Sequence, residues 1–140
     1  MRRAAADNVW MSEAKVSWKA DPEEHDYPAA ASYLSLIATA AQVDDLVERL
    51  KAGASTHYKA KDMLRAAGLV LLPKDNAHVA SDLKKIASHE HLSPVLLVRG
   101  DLSRGIPLHI ADGYHRVCAS YYVDENTDIP CRIADAAPGR

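Results

Sequence analysis

Cysteine is scarce in this chain. Only Cys118 and Cys131 occur in its 140 residues, too few for a disulfide framework and short of a four-ligand zinc site. Reduced thiols and a cytoplasmic setting are therefore expected. Long apolar runs are missing too: no stretch approaches the roughly 18 consecutive apolar residues of a transmembrane helix, so no membrane partner is expected. The opening brings Arg2 and Arg3 without an unbroken apolar segment behind them, which does not read as a secretory leader. An excess of charge is also lacking. The formal net charge is −2 and the isoelectric point about 6.4, so the chain has no overall electrostatic footprint of a nucleic-acid binder. Its one basic concentration, Lys59, Lys61, Arg65 and Lys74, is interrupted by Asp62 and reads as the solvated face of a helix, giving DNA only weak support as a partner. Internal repeats are absent.

What is present fits one globular domain. Hydrophobic residues make up 48% and charged residues 26%, enough apolar surface to offset the entropy of ordering. Residues 1–28 are polar, contain the cluster from Asp21 to Asp26, and reach Pro28. They read as an arm, either flexible or docked on the body. Trp10 and Trp18, eight apart, would share one face if that arm were helical. Residues 29–140 form a single α+β domain in this reading, with a helical part over 29–67 and a sheet-bearing part over 68–134.

The helical part starts with the alanine- and leucine-rich stretch Ala29 to Ile37. Thr39-Ala-Ala-Gln42 is a capping-box pattern, followed by the stripe Val43, Leu46, Val47 and Leu50, with Gly53 as its stop. A second helix is expected from about Thr56 to Ala67, ended by Gly68. The pattern then shortens. Leu69 to Leu72 reads as a buried strand stopped by Pro73. Asp75-Asn76 offers an N-cap to a helix striped by Val79, Leu83, Ile86 and Ala87. Val95 to Val98 and Leu108 to Ala111 read as strands joined by a hairpin loop over 100–107. A helix from Tyr114 to Val123 and a strand from Ile129 to Ile133 follow, Pro130 favouring an edge position.

Chemistry concentrates where a strand passes through Asp112-Gly113 into a helix that opens with Tyr114, His115 and Arg116. A helix N-terminus presents unpaired N–H groups and a partial positive charge, which favour an anion. Gly113 allows both a sharp turn and close approach of a phosphate to the backbone. Arg116 has the fork that grips phosphate oxygens, and His115 titrates near neutrality and can move a proton. Asp112 is a candidate ligand for a magnesium ion bridging phosphates. The pair His89 and His91 and the trio His109, Asp112 and His115 are weaker metal candidates, since neither has a fixed set of ligands.

The segment from Leu69 to Ala134 resembles the ParB/sulfiredoxin superfamily. The matching pieces are Leu69 to Pro73, Asp82 to Ile86, Pro94 to Val98, Asp112-Gly-Tyr-His-Arg116 followed by Ala119, and Asp128-Ile-Pro130. The elements read above give a helical half packed on a small mixed sheet of β-α-β-β-α-β order, an order that the superfamily shares. The resemblance implies a nucleoside tri- or diphosphate with Mg2+, held by Asp112, Gly113, Tyr114, His115 and Arg116, with His78 facing the nucleotide. Sulfiredoxin chemistry is not expected, because Tyr114 stands where those enzymes carry a cysteine. The Asp-Gly-Tyr-His-Arg turn is also similar to that of free-serine kinases, where a carboxylate after the first strand acts as base. Asp75 is the nearest candidate here, with His115 as its catalytic companion. The expected function is nucleotide binding, with hydrolysis or transfer of a terminal phosphate in view. The alternative is a non-catalytic module related to partition proteins that docks a protein or DNA or pairs with itself.

Overall fold

Thr39 begins the best-defined helix exactly as its capping box dictates. The computed structural model describes residues 15–136, and in it Thr39 Oγ1 accepts from the Gln42 amide at 3.2 Å while Gln42 Oε1 accepts from the Thr39 amide at 2.8 Å. Helix α2 (Ala40–Ala52) follows, burying Val43, Leu46 and Leu50. Before it, α1 spans Asp26–Leu34 and buries Tyr27, Ala30 and Leu34. The helix expected from Ala29 thus starts three residues earlier, because Pro28 sits in its first turn, where a missing N–H costs nothing. It also ends sooner, leaving Leu36 and Ile37 exposed. The described part of the expected arm is docked on the body. Strand β1 (Ser17–Trp18) pairs in parallel with β3 (His91–Leu92), and Asp26 and Tyr27 are buried. Trp10 lies outside the described residues.

Two elements differ from expectation. Thr56–Lys59 forms strand β2, not the start of a helix, and pairs antiparallel with β6 (Asp128–Asp135) through Thr56 opposite Cys131 and Tyr58 opposite Ile129. Threonine and tyrosine suit a pleated surface. Helix α3 is therefore the shorter Ala60–Ala67, its first amides donating to the Thr127 and Glu125 carbonyls at 3.0 Å each. Leu69 to Leu72 lies outside both sheets. It is strapped to the helix from Tyr114 by Tyr114 Oη on the Val70 carbonyl (2.6 Å) and Tyr122 Oη on the Leu72 carbonyl (2.8 Å). Nor is the run buried: Leu69 and Val70 are exposed and Leu71 and Leu72 only half-buried, since an apolar run fixes neither a ladder partner nor the surface that would cover it. The sheet's first strand is thus at residue 56 and not at residue 69.

The rest follows the sequence closely. Asn76 Oδ1 accepts from the amides of His78 and Val79 and starts α4 (Ala77–Ala87). Strands β4 (Val95–Arg99) and β5 (His109–Asp112) form the hairpin, and α5 covers Tyr114–Val123. The four-stranded sheet runs β2-β6-β4-β5, with β4 and β6 parallel and both outer pairings antiparallel. Pro130 therefore lies on an interior strand. It stands opposite His57 of β2, one residue before the ladder to β4 begins with Val95 opposite Cys131.

Alternation along the strands gives the sheet two packed faces. Val95, Leu97, Ile110, Ile129 and Cys131 join α3, α4 and α5 on one side. Leu96, Val98, Ala111 and Ala134 meet α1 and α2 on the other. The N-terminal helices are thus one layer of an α+β sandwich. Arg132 fastens that layer: buried, it donates to the Leu50 and Lys51 carbonyls at the end of α2 (3.1 and 3.0 Å) and to Asp21 Oδ1 (2.8 Å). Among the described residues no helix is long and apolar enough to cross a membrane.

Candidate functional site

Gly113 is the hinge on which the site is built. Its φ of +112° lies in the left-handed region, and a Cβ there would sit 2.4 Å from Val95 Cγ1 and 2.8 Å from Arg116 Nη2. Only glycine meets both demands. It caps α5 with no side-chain hydrogen bond, so the first amides of the helix have no side-chain acceptor. The turn opens into a polar cavity of about 410 Å³, within the range of small-molecule sites. Gly113, Asp112, His115 and Arg116 line it, facing His78, Asp82 and Lys85 of α4.

Residues 78, 81, 82 and 85 share one face of α4 by helical spacing, about a quarter-turn from the apolar stripe of Val79 and Ile86 buried in the core. The His78 and His115 rings lie 4.7 Å apart between centroids. Burial, together with His78 and Arg116 nearby, lowers the His115 pKa, while Asp82 pulls the other way. Neutral imidazole is favoured, the form that accepts a proton. Burial raises the Asp82 carboxyl, opposed by Lys85, Arg116 and both histidines.

Arg116 is not a free fork. Nη2 donates to Asp112 Oδ2 at 2.7 Å, Nη1 donates to Ser93 Oγ, and Asp26 Oδ2 lies 3.8 Å from Nη1. Its side chain is 13% exposed and that of Asp26 5%. Asp26 Oδ2 also accepts from the Glu23 amide at 2.9 Å. Two carboxyl groups thus flank one guanidinium, and the Asp112 pKa is raised, first by burial and then by Asp26, against the pull of Arg116. Arg116 brings its charge to the turn while being fixed in place by these partners.

The structure gathers His78, Asp112, Gly113, His115 and Arg116 around one cavity. Asp75 and Tyr114 are not among its lining residues. Asp75 is exposed in the turn before α4, with Asn76 making the cap, and Tyr114 turns its hydroxyl to Val70. His109 bonds Tyr33 Oη through Nδ1 at 2.7 Å and is also outside the lining. Glu90 and His91 do line the cavity, but among the described residues no group of three or more His, Cys, Asp or Glu side chains is arranged to hold a metal. As a donor set for magnesium, Asp112 fits only with phosphate oxygens supplying further ligands, the ion's usual habit. Cys118 and Cys131 are fully buried, and burial raises both thiols, Cys131 to about 12. Neither has the electropositive, accessible setting of a reactive cysteine.

Asp26, Asp82, Lys85 and Ser93 were not singled out by their sequence context. Asp82 and Lys85 carried a signal, their spacing of four and seven from His78. Asp26 and Ser93 carried none, since each reaches Arg116 only through tertiary structure. The basic positions Lys59, Lys61, Arg65 and Lys74 do not line the cavity. Compared with family models, curated proteins and solved structures, the chain gives no significant match to any of them.

Proposed function

We propose that this protein binds a phosphate-bearing small molecule, a nucleoside di- or triphosphate, at the Gly113 turn. The observation that carries the reading is the coincidence of a helix N-terminus without a side-chain cap, at a turn only glycine can make, with a polar cavity shared by His78, Lys85, His115 and Arg116. Backbone amides of the first turn of α5 take the phosphate oxygens. Arg116, held by Asp112, Asp26 and Ser93, supplies fixed positive charge beside them. Lys85 and His78 supply the opposite wall. His115, kept neutral by burial and its neighbours, is the group that takes a proton from water or from an acceptor hydroxyl, which makes phosphate hydrolysis or transfer the accompanying chemistry. Asp112 is the residue that would hold a magnesium ion carried in with the nucleotide, and such an ion would neutralise phosphate charge.

Calorimetric titration with CTP, ATP, ADP and GTP, with and without magnesium, tests the reading. Saturable one-site binding of at least one of them is expected. Absence of heat and of any thermal stabilisation with all four contradicts it.

A further inference from the structure

One charge at the Gly113 turn has no part in the chemistry above. Asp82 lines the cavity from the middle of α4, half-buried, and its surroundings supply charges but no side-chain hydrogen bond. The other carboxylates of the cavity wall are engaged or exposed. Asp112 and Asp26 flank Arg116, Glu23 contacts Lys19 and His25, and Glu90 stands in water beside the equally exposed His91. Asp82 instead follows His78 by one helical turn on the same face, with Lys85 next along it, and the His78 ring lies 4.7 Å from that of His115 between centroids. Asp82 is the one acidic residue of α4, and its charge is felt at the His115 ring.

A base that takes a proton must be neutral before the step and carry charge after it. Burial, His78 and Arg116 serve the first requirement at His115 and oppose the second. We propose that Asp82 is the positioning residue of this base, a carboxylate that acts through His115 by stabilising the imidazolium as it forms. The inference rests on the phosphate-site reading. In the step itself, the attacking oxygen forms its bond to phosphorus while its proton passes to the His115 ring. The bond to the leaving phosphate breaks with the electron pair kept by that phosphate. Positive charge then appears on a ring already near Arg116, and Asp82 is the group whose charge favours it. The benefit is mutual. Burial disfavours a carboxylate at position 82, and an imidazolium facing it offsets that cost.

Ring resonances of His115, assigned by their loss in His115→Gln, give its titration midpoint in the ligand-free full chain. Asp82→Asn should lower that midpoint by about half a pH unit or more, about a threefold loss of proton affinity, and Asp82→Glu should restore most of it. Glu90→Gln removes another carboxylate from the same cavity and should leave the midpoint within about 0.2 unit. With magnesium and the tightest of the four nucleotides, Asp82→Asn should lower kcat about tenfold with KM nearly unchanged. An unchanged His115 midpoint in Asp82→Asn, an equal shift in Glu90→Gln, or a kcat equal to the parent's would overturn the inference and leave the phosphate site standing. A parent that turns over none of the four nucleotides would overturn the base assignment of His115, and the role of Asp82 with it.

Discussion

Gly113→Ala probes the turn through a quantity the structure sets. An alanine Cβ would require the left-handed region at φ +112° and would lie 2.4 Å from Val95 Cγ1. The conformational term is about 1–2 kcal/mol. Val95 is fully buried and branched at Cβ, so it cannot rotate away cheaply, and overpacking adds about 1–3 kcal/mol. A total of about 2–5 kcal/mol corresponds to a drop in melting temperature of about 6–15 °C for a chain of this size. Urea unfolding of four proteins separates the two contributions: parent, Gly113→Ala, Val95→Ala and the double variant. Val95→Ala removes the clashing methyl at a cost of about 1–3 kcal/mol. The double variant should then lose about 1–2 kcal/mol less than the sum of the singles, the mark of residues in direct contact. Strict additivity, or a Gly113→Ala protein as stable as the parent, would refute the reasoning.

Arg116→Ala should both abolish nucleotide-dependent stabilisation and cost about 2–3 kcal/mol in ligand-free urea unfolding, because Asp112 and Asp26 lose the cation between them; unchanged ligand-free stability would show that the network contributes nothing. Asp82 has its pKa raised by burial, so its stabilising share is full below the ordinary carboxylate range and is lost as pH rises through the folded value. Asp82→Asn should accordingly be more stable than the parent near neutral pH and equal to it in acid, and unfolding curves showing it less stable at neutral pH would contradict this. A chain beginning at Gly68 loses β2, α1 and α2 and uncovers Leu96, Val98, Ala111 and Ala134; it should show no cooperative melt by circular dichroism. A chain beginning at Tyr27 lacks Asp26 and β1 and should fold with a lower midpoint than one beginning at Lys15, equal midpoints being the contrary result.

Local chemistry was legible in the sequence wherever a few neighbouring residues decide the backbone. The Thr39 box, the Asn76 cap and the glycine turn at 113 each satisfy or strain groups within one helical turn, so residue types alone place them. Placement failed where a partner lies far along the chain. Thr56–Lys59 becomes a strand because β6 offers it a ladder, and Leu69–Leu72 does not because Tyr114 and Tyr122 take its carbonyls. Pro130 lies inside the sheet because β2 and β4 flank β6 on both sides, a topology no local pattern reveals. In the candidate site the turn from Asp112 to Arg116 was readable from residue types and spacing, whereas His78 was named only through the resemblance. Arg116 looked like an unengaged fork, and only the fold brings Asp26 and Ser93 to it. The cluster ending at Asp26 left a flexible and a docked arm both open, because the burial of Asp26 beside that guanidinium is set by tertiary structure.

The central claim is that phosphate binds at the first turn of α5. Amide chemical shifts recorded during titration with the tightest nucleotide found by calorimetry test it most directly. The account predicts the largest changes at Gly113, Tyr114, His115 and Arg116, accompanied by the ring resonances of His78. Saturable binding whose changes fall elsewhere and leave those four amides in place would contradict it.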